Sequence, residues 1–481
     1  MNRRLIAALT LTTLALMPLA AWAEDEEKLG TAGRFKLDLP DYSPPDTNVL
    51  QEPGDPANGI PFCCDEPKFL VAAGEVLLLE AIPWFFNRHV ADDETAVISL
   101  DTWGRNIREG FEWDNNDFKT NMFMHPFHGS VYFNAARSNG YNYWESAAFS
   151  WAGSFLWEMF GEANRGAIND WVATSMGGMV IGEAFHRTAT SIRDNQDTGL
   201  SRGLREFSSF FLDPVGGFNR LVRGEASRVG PNPEGRHPAH AYSAMRFGIR
   251  SLNDRDNDQS LSGGFFEMDI DYGDPYEENE EPFDSFEMRF SVNGSDTQRL
   301  GLLQIDGLLF GNKTTESDSH RNLFTVNQLF DYVNNSLFEV GGQSLAITWH
   351  WDRQLSDSWW LRAQAQPTVS PLWAVQSDIA EEAEGRSYDF GAGAGGRARV
   401  YVTRDGRDWL EVRYLLNWSH TLSGAAGSHL VQFLSARVQF PVFKRVGLGF
   451  DFVYGARDSN YRDHPNVEQN GSQGRVFLTL F

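Results

Sequence analysis

The residues best suited to chemistry fall between His125 and Arg187. His125-Pro126-Phe127-His128-Gly129 opens the stretch. Ser146, Ser150, Ser154 and Glu158 then recur every four residues, as do Asp170, Thr174, Gly178, Gly182 and His186. On helices, that spacing keeps each set along one slowly drifting face. Brought together, His125, Glu158, Asp170, Glu183 and His186 have the groups for general acid–base work or for holding a metal. Glu183 and His186 stand at i, i+3, the Glu-x-x-His spacing of carboxylate-bridged metal helices. One such pair is half of a site, so no metal or cofactor is assigned. There is no Gly-x-Ser-x-Gly elbow and no His-Glu-x-x-His helix. A packing network in which these groups satisfy one another is the simpler reading. Gly178 and Gly182 would let a second helix backbone come close.

A second set of charges lies on segments of a different kind. After about Gly230 the apolar period becomes two: Leu345, Ile347, Trp349 and Trp351 alternate with polar residues, and so do Leu410, Val412, Tyr414, Leu416 and Trp418. Segments of ~9–11 residues with one apolar and one polar face are the signature of transmembrane barrel strands. If the apolar faces meet lipid, the others line a lumen. That lumen receives Glu267, Asp269, Asp271, Glu287 and Arg289, then Asp352, Arg362, Arg397, Arg399, Glu411, Arg413, Arg437 and Asp451. Arg137, from the helical part, is a further candidate to face it. Both signs of charge can form internal ladders, hold a plug or bind a polar solute.

The elements that carry these residues belong to an exported chain. Arg3 and Arg4, an apolar run over Leu5–Leu19 and Ala21-Trp22-Ala23 read as a cleaved signal peptide. Residues 24–66 read as a disordered leader. Cys63 and Cys64 are adjacent and do not make a disulfide framework. Lysine and arginine total 41 against 65 acids, a net charge of −24, which opposes binding to nucleic acid. Helices are expected over Lys68–His89, His128–Ser138, Tyr143–Phe160 and Ile168–Ile192. The first has Leu70, Leu77, Leu78, Ile82 and Phe85 on its apolar side. Tight turns at 355–357, 404–407 and 443–445 alternate with longer polar connections at 377–387 and 456–474, the pattern of periplasmic turns and outer loops. Asp274–Asp284 and Asn312–Arg321 stand out as long connections on the short-turn side. The chain ends in a strand closed by Phe481, which resembles the signal read by the outer-membrane assembly machinery.

Residues from His125 to Gly224 also resemble a bacterial family known as a domain of unknown function, DUF3943. The match rests on His125-Pro126, Gly129, Tyr132, Asn134, Ala136-Arg137-Ser138, Gly140, Trp157-Glu158, Glu162, Asn169-Asp170, Thr174, Gly177-Gly178 and Gly182-Glu183. It extends to Asp213-Pro214 and Asn219-Arg220. The resemblance implies an exported outer-membrane protein and brings no activity. A looser similarity joins Glu158, Asp170, Thr174, Gly178 and Gly182 to small VanZ-like helical domains, over too short a stretch to transfer a function.

The fold expected is α+β: a helical region over 67–235, plugging the barrel or capping its periplasmic mouth, then an antiparallel barrel of about twelve strands over 236–481. The location expected is the outer membrane, with its lipid and the assembly machinery as partners. The function expected is envelope maintenance or passage of a small solute or lipid. The alternative is a lipid- or lipopolysaccharide-modifying hydrolase built on the His/Glu/Asp cluster. A soluble β-sandwich or lipocalin-like barrel would need the apolar faces turned inward.

Overall fold

The computed structural model describes residues 66–481 apart from 234–237, 239, 255–258, 278, 295–298, 318, 380–384 and 444. The signal peptide and the Cys63–Cys64 pair lie outside the described residues, as does all of the leader except Glu66. The helical region holds α1 (Phe69–His89), α2 (Leu100–Glu109), α3 (His125–Arg137), α4 (Tyr143–Leu156), α5 (Ile168–Ile192), α6 (Gly199–Leu212) and α7 (Pro214–Val222). Local chemistry sets several of their ends. Asn142 and Glu145 form a reciprocal capping box at the start of α4. Pro214 occupies the first turn of α7 while Asp213 caps it.

Twelve antiparallel strands follow: β1 (Ala241–Asp254), β2 (Gln259–Tyr272), β3 (Phe286–Asn293), β4 (Leu300–Ser317), β5 (His320–Asn334), β6 (Glu339–Ser356), β7 (Trp359–Gln376), β8 (Tyr388–Arg404), β9 (Arg407–Ser423), β10 (Gly427–Pro441), β11 (Val446–Tyr461) and β12 (Val467–Leu480). They close into one barrel in which β1 pairs with both β2 and β12. The β8–β9 turn is made by Asp405 and Gly406, both with positive φ, the hairpin geometry that matches strand twist. Asp274–Asp284 does lie in a long connection on the short-turn rim. Asn312–Arg321 does not, because β4 and β5 continue to a tight turn there.

Register partners share a face, so the ladder tells inside from outside. Val400, Val412 and Phe452 lie along one outward row and are exposed. Glu411, Arg437, Asp451 and Arg475 lie along an inward row and are buried. Apolar side chains outside and charges inside are the inverse of a water-soluble core. This is the arrangement of an outer-membrane barrel, and it overturns the soluble sandwich or lipocalin-like alternative.

The outward face is not uniform. Gln328 on β5 pairs in register with Leu345 on β6, and both point outward. Leu345 is 43% exposed, yet Gln328 is buried. The Tyr143 hydroxyl donates to Gln328 Oε1 at 2.6 Å, and Gln328 Nε2 donates to the Met176 carbonyl at 3.3 Å. Outward Met288, Ile305, Phe330 and Leu372 are likewise buried, in one cluster with Phe118, Met122, Phe133 and Ile181 of the helical region. The helices therefore dock on the outside wall, over β3 to β8, and correct the expectation of a plug or periplasmic cap. The lumen has no room for them, because its own charged side chains meet across it.

Helix α5 sets the height of this docking. Its 25 residues extend about 37 Å. Near its N-terminus, Asn121 bridges Asp114 and the Tyr388 hydroxyl at the start of β8. Near its C-terminus, Arg187 meets Asp284, in the connection before β3, at 2.8 Å. These contacts lie at opposite rims, so α5 runs along the wall from one to the other. Helix α3 crosses α5 through glycine: a Cβ on Gly129 would lie 1.8 Å from the Thr174 carbonyl oxygen, and one on Gly178 would strike Gly129. Helix α1 turns its apolar side away from the core. Leu70, Leu77, Leu78, Ile82 and Phe85 are exposed, and Ala72 and Val76 are the buried ones. Among the described residues, α1 is the one helix long and apolar enough to cross a membrane by length and composition.

Gly129→Val should therefore undock the helices and spare the barrel. The barrel should keep its heat-modifiable gel migration while limited proteolysis cuts within 66–230. Unchanged protease resistance would contradict the tight α3–α5 crossing.

Candidate functional sites

The five helical candidates do not form one site. Thirteen residues separate Asp170 from Glu183 on α5, about 20 Å of rise. At the far end, Glu183 accepts from Arg137 Nε at 2.8 Å and from Arg187 Nε at 2.7 Å. Arg187 continues to Asp284, so this cluster ties the helices to the barrel rim. Arg137 is consumed there and does not face the lumen, contrary to expectation. His186 Nδ1 lies 3.1 Å from Asp213 Oδ2, and Asp213 also meets Arg193 and caps α7. Burial alone would raise Asp213, but His186 and Arg193 hold it down to about 2. Glu183 and His186 thus serve separate partners, and their Glu-x-x-His spacing is a structural coincidence. Among the described residues, no group of three or more His, Cys, Asp or Glu side chains is placed to hold a metal.

His125, Glu158 and Asp170 do gather at the other end. His125 Nε2 lies 3.6 Å from Asp170 Oδ2, and Asn169 donates to the other Asp170 oxygen at 2.7 Å. Glu158 accepts the Ala167 backbone N–H at 2.7 Å. Three neighbours lie outside the five candidates: Glu80, set beside Tyr132, His128, whose ring is tilted against that of Tyr132 at 4.6 Å, and Asp114. The His-x-x-His spacing of 125 and 128, and a glutamate in the apolar α1, were the available signals. In the connection after α4, burial pushes the Glu162 carboxyl up to about 7, against the Trp157 indole N–H bound to it at 3.1 Å.

The larger constellation is in the lumen. Glu267, Asp269, Arg289, Arg362, Arg397, Arg399, Glu411, Arg413 and Arg437 all face it. Arg289 on β3 reaches Glu411 on β9, halfway round the barrel, at 3.2 Å. Arg399 joins Glu411 to Glu287 on β3, at 2.6 Å to each. Arg437 ties Glu267, Asp269 and Asp451 together, and Arg475 binds Glu267 at 2.7 Å. Arg413 adds to Glu411 at 2.7 Å, and Arg397 pairs with Asp331. Arg362 and Arg321 share Asp352 nearer the short-turn rim.

This network divides the interior into two chambers in series. The upper is a cavity of about 220 Å³ with ion pairs at its base. The lower is about 80 Å³ and is lined by Tyr276, His350, Arg362 and Tyr401. Asp271, Glu287, Asp306 and Gln364 border both and form the neck between them. The β5–β6 turn folds inward as a roof. Asn335 Oδ1 accepts the backbone N–H of Leu337 and Phe338, at 2.9 and 3.1 Å, and Gln469 Nε2 donates to the Leu337 carbonyl at 2.8 Å. Phe338 and Leu337 are each 3% exposed and seat on Gly455 and Gly471, where a Cβ would come within 2.7 and 2.3 Å. Those glycines are on β11 and β12, diametrically opposite. At the other rim, Tyr276 folds over the lower chamber and stacks under the Arg321 guanidinium at 4.2 Å. The same connection carries Phe283 onto Tyr143 of the helices.

Residues 110–215 match the DUF3943 domain of unknown function. The matched stretch is the α3–α6 part of the wall-docked helices and leaves the barrel outside it. No curated protein matches the chain. Among solved structures, the NanC porin is 9% identical, with a TM-score of 0.28, over 49% of this chain and 99% of its own. The KdgM porin is 7% identical, with a TM-score of 0.23, over 50% and 98%. Outer membrane phospholipase A from Escherichia coli is 10% identical, with a TM-score of 0.23, over 50% and 94%. Such low values lend no support to any particular activity.

Removing one member of a buried ion-pair network leaves its partners uncompensated, at a cost of ~3–5 kcal/mol. Glu411→Ala, which takes one shared carboxylate from Arg289, Arg399 and Arg413 and leaves their positive charge in excess, should lower unfolding stability by up to about that much. A change below about 1 kcal/mol in denaturant titration would mean that water already screens the network.

Proposed function

We propose that this protein sits in the outer membrane and passes a small polar solute through a gated lumen. The observation that carries this is the pair of chambers in series, joined at a charged neck and roofed by a folded turn. An open pore does not fit, because side chains bridge the lumen from β3 to β9. The chambers lie away from His125, Glu158 and Asp170, which favours passage over the lipid-hydrolase alternative. In this reading the belt around Ile347, Val412 and Phe450 contacts outer-membrane lipid. The helices lie in the same layer, and α1 turns its exposed apolar side to the acyl chains. A signal peptide delivers the chain, and the terminal strand ending at Phe481 is offered to the assembly machinery.

The roof is the point to test. Wild-type protein in liposomes should be nearly impermeable to small sugars and amino acids in a swelling assay. The Leu337→Ala/Phe338→Ala double variant should raise permeation several-fold while keeping heat-modifiable migration. A folded double variant as tight as wild type would refute the gated passage.

A further inference from the structure

The upper chamber has two unlike halves. Its roof is apolar, made by Leu252, Leu337, Phe338 and Phe433. Its base is the ion-pair network, in which Arg289, Arg399 and Arg437 are each held by two or more carboxylates. We infer that this chamber is a binding site for a small zwitterion carrying an apolar group, an amino acid with an aliphatic side chain being the simplest member of the class. The inference rests on the lumen being the path of the solute.

Charge balance selects the ligand. A singly charged solute can displace one partner of a buried pair only by stranding the other. A stranded buried charge is strongly unfavourable. A zwitterion exchanges pair for pair: its carboxylate takes a guanidinium, its ammonium takes the released carboxylate, and no wall charge is left alone. Guanidinium forks suit a carboxylate geometrically, because they offer two parallel N–H donors. The apolar roof then rewards a side chain on the same molecule, since burying that side chain removes apolar surface from water. A neutral polar solute gains from neither half. The cavity, about 220 Å³, is many times the ~15 Å³ a single water requires.

The test uses the full chain purified in detergent, with binding followed by calorimetry. The probes are L-leucine, leucinamide, 4-methylpentanoate and glycine. L-Leucine should bind roughly tenfold or more tighter than the two singly charged analogues and than glycine. Ser435→Phe, which fills the chamber beside Arg413 without removing a member of any ion pair, should abolish leucine binding while heat-modifiable migration is retained. Equal affinity for leucine and either charged analogue, or leucine binding that survives Ser435→Phe, would overturn the inference. Should Ser435→Phe fail to fold, the wild-type ranking of the four probes decides alone. Leucine binding as expected, with a roof variant that stays impermeable, would sink the passage reading and leave the site standing. A permeable roof variant with no preference for leucine would do the reverse.

Discussion

An apolar wall exposed around a closed sheet has to be kept from water, and everything else in this molecule follows from how that is done. Away from the helices the outward rows are bare, as at Ile347, Val412 and Phe450, and suited to acyl chains. Over the part of β3 to β8 that lies beneath the helices, the wall is covered by protein. There the outward positions hold polar groups that lipid could not satisfy: Gln328, bonded to Tyr143 and the Met176 carbonyl, and Gln343, lying against Gly177. Backbone and amide groups in an apolar layer must find partners within the protein. The helices supply those partners for Gln328, and the close packing of Gln343 on Gly177 fixes the helices at the same place on the barrel.

The inside obeys the complementary rule. A barrel of twelve strands encloses a narrow space, and its inward charges are too close to remain solvated singly. They resolve this by pairing across the lumen, so the ladder from Arg289 to Glu411 is both internal scaffold and obstruction. The sealed interior and the covered wall are linked through the connection from Gly273 to Ser285. Tyr276 of that segment closes the lower chamber, while Phe283 and Asp284 are held by the helices. A shift of the helices along the wall would therefore be felt at the mouth of the lumen.

Much of this architecture is legible in the residues. Alternation with period two marks the strands and their inward charges, and the apolar pattern places α5 at Ile168–Ile192 with the bounds observed. The small-residue spacing at Gly178 marks the α3–α5 crossing. What alternation cannot say is whether an outward residue meets lipid or protein; polar Gln328 and Gln343 on otherwise apolar faces were the clue. The spacing along α5 put Asp170 and His186 on one face, but did not weigh the rise between them, so one cluster was expected where there are two. Arg137 belongs to the rim cluster and not to the lumen because Glu183, on the wall-docked α5, holds it there. The polar run at 456–474 looked like a loop because strands of 14 and 16 residues outreach the ~9–11 needed to span, and their ends extend beyond the apolar belt. Helices α2, α6 and α7 lie outside the four expected helices, although α6 is as long as α4, at 14 residues each.

The placement of the helices against the wall is the claim on which the rest turns, and lipid contact tests it most directly. In a Cys63→Ser/Cys64→Ser background, an environment-sensitive fluorophore is attached at Gln328→Cys or at Ile347→Cys, and the protein is reconstituted with brominated lipid. The account predicts strong quenching at 347 and little at 328, although both positions point outward on neighbouring strands. Equal, strong quenching at the two sites would mean that lipid reaches the wall beneath the helices, and would contradict it.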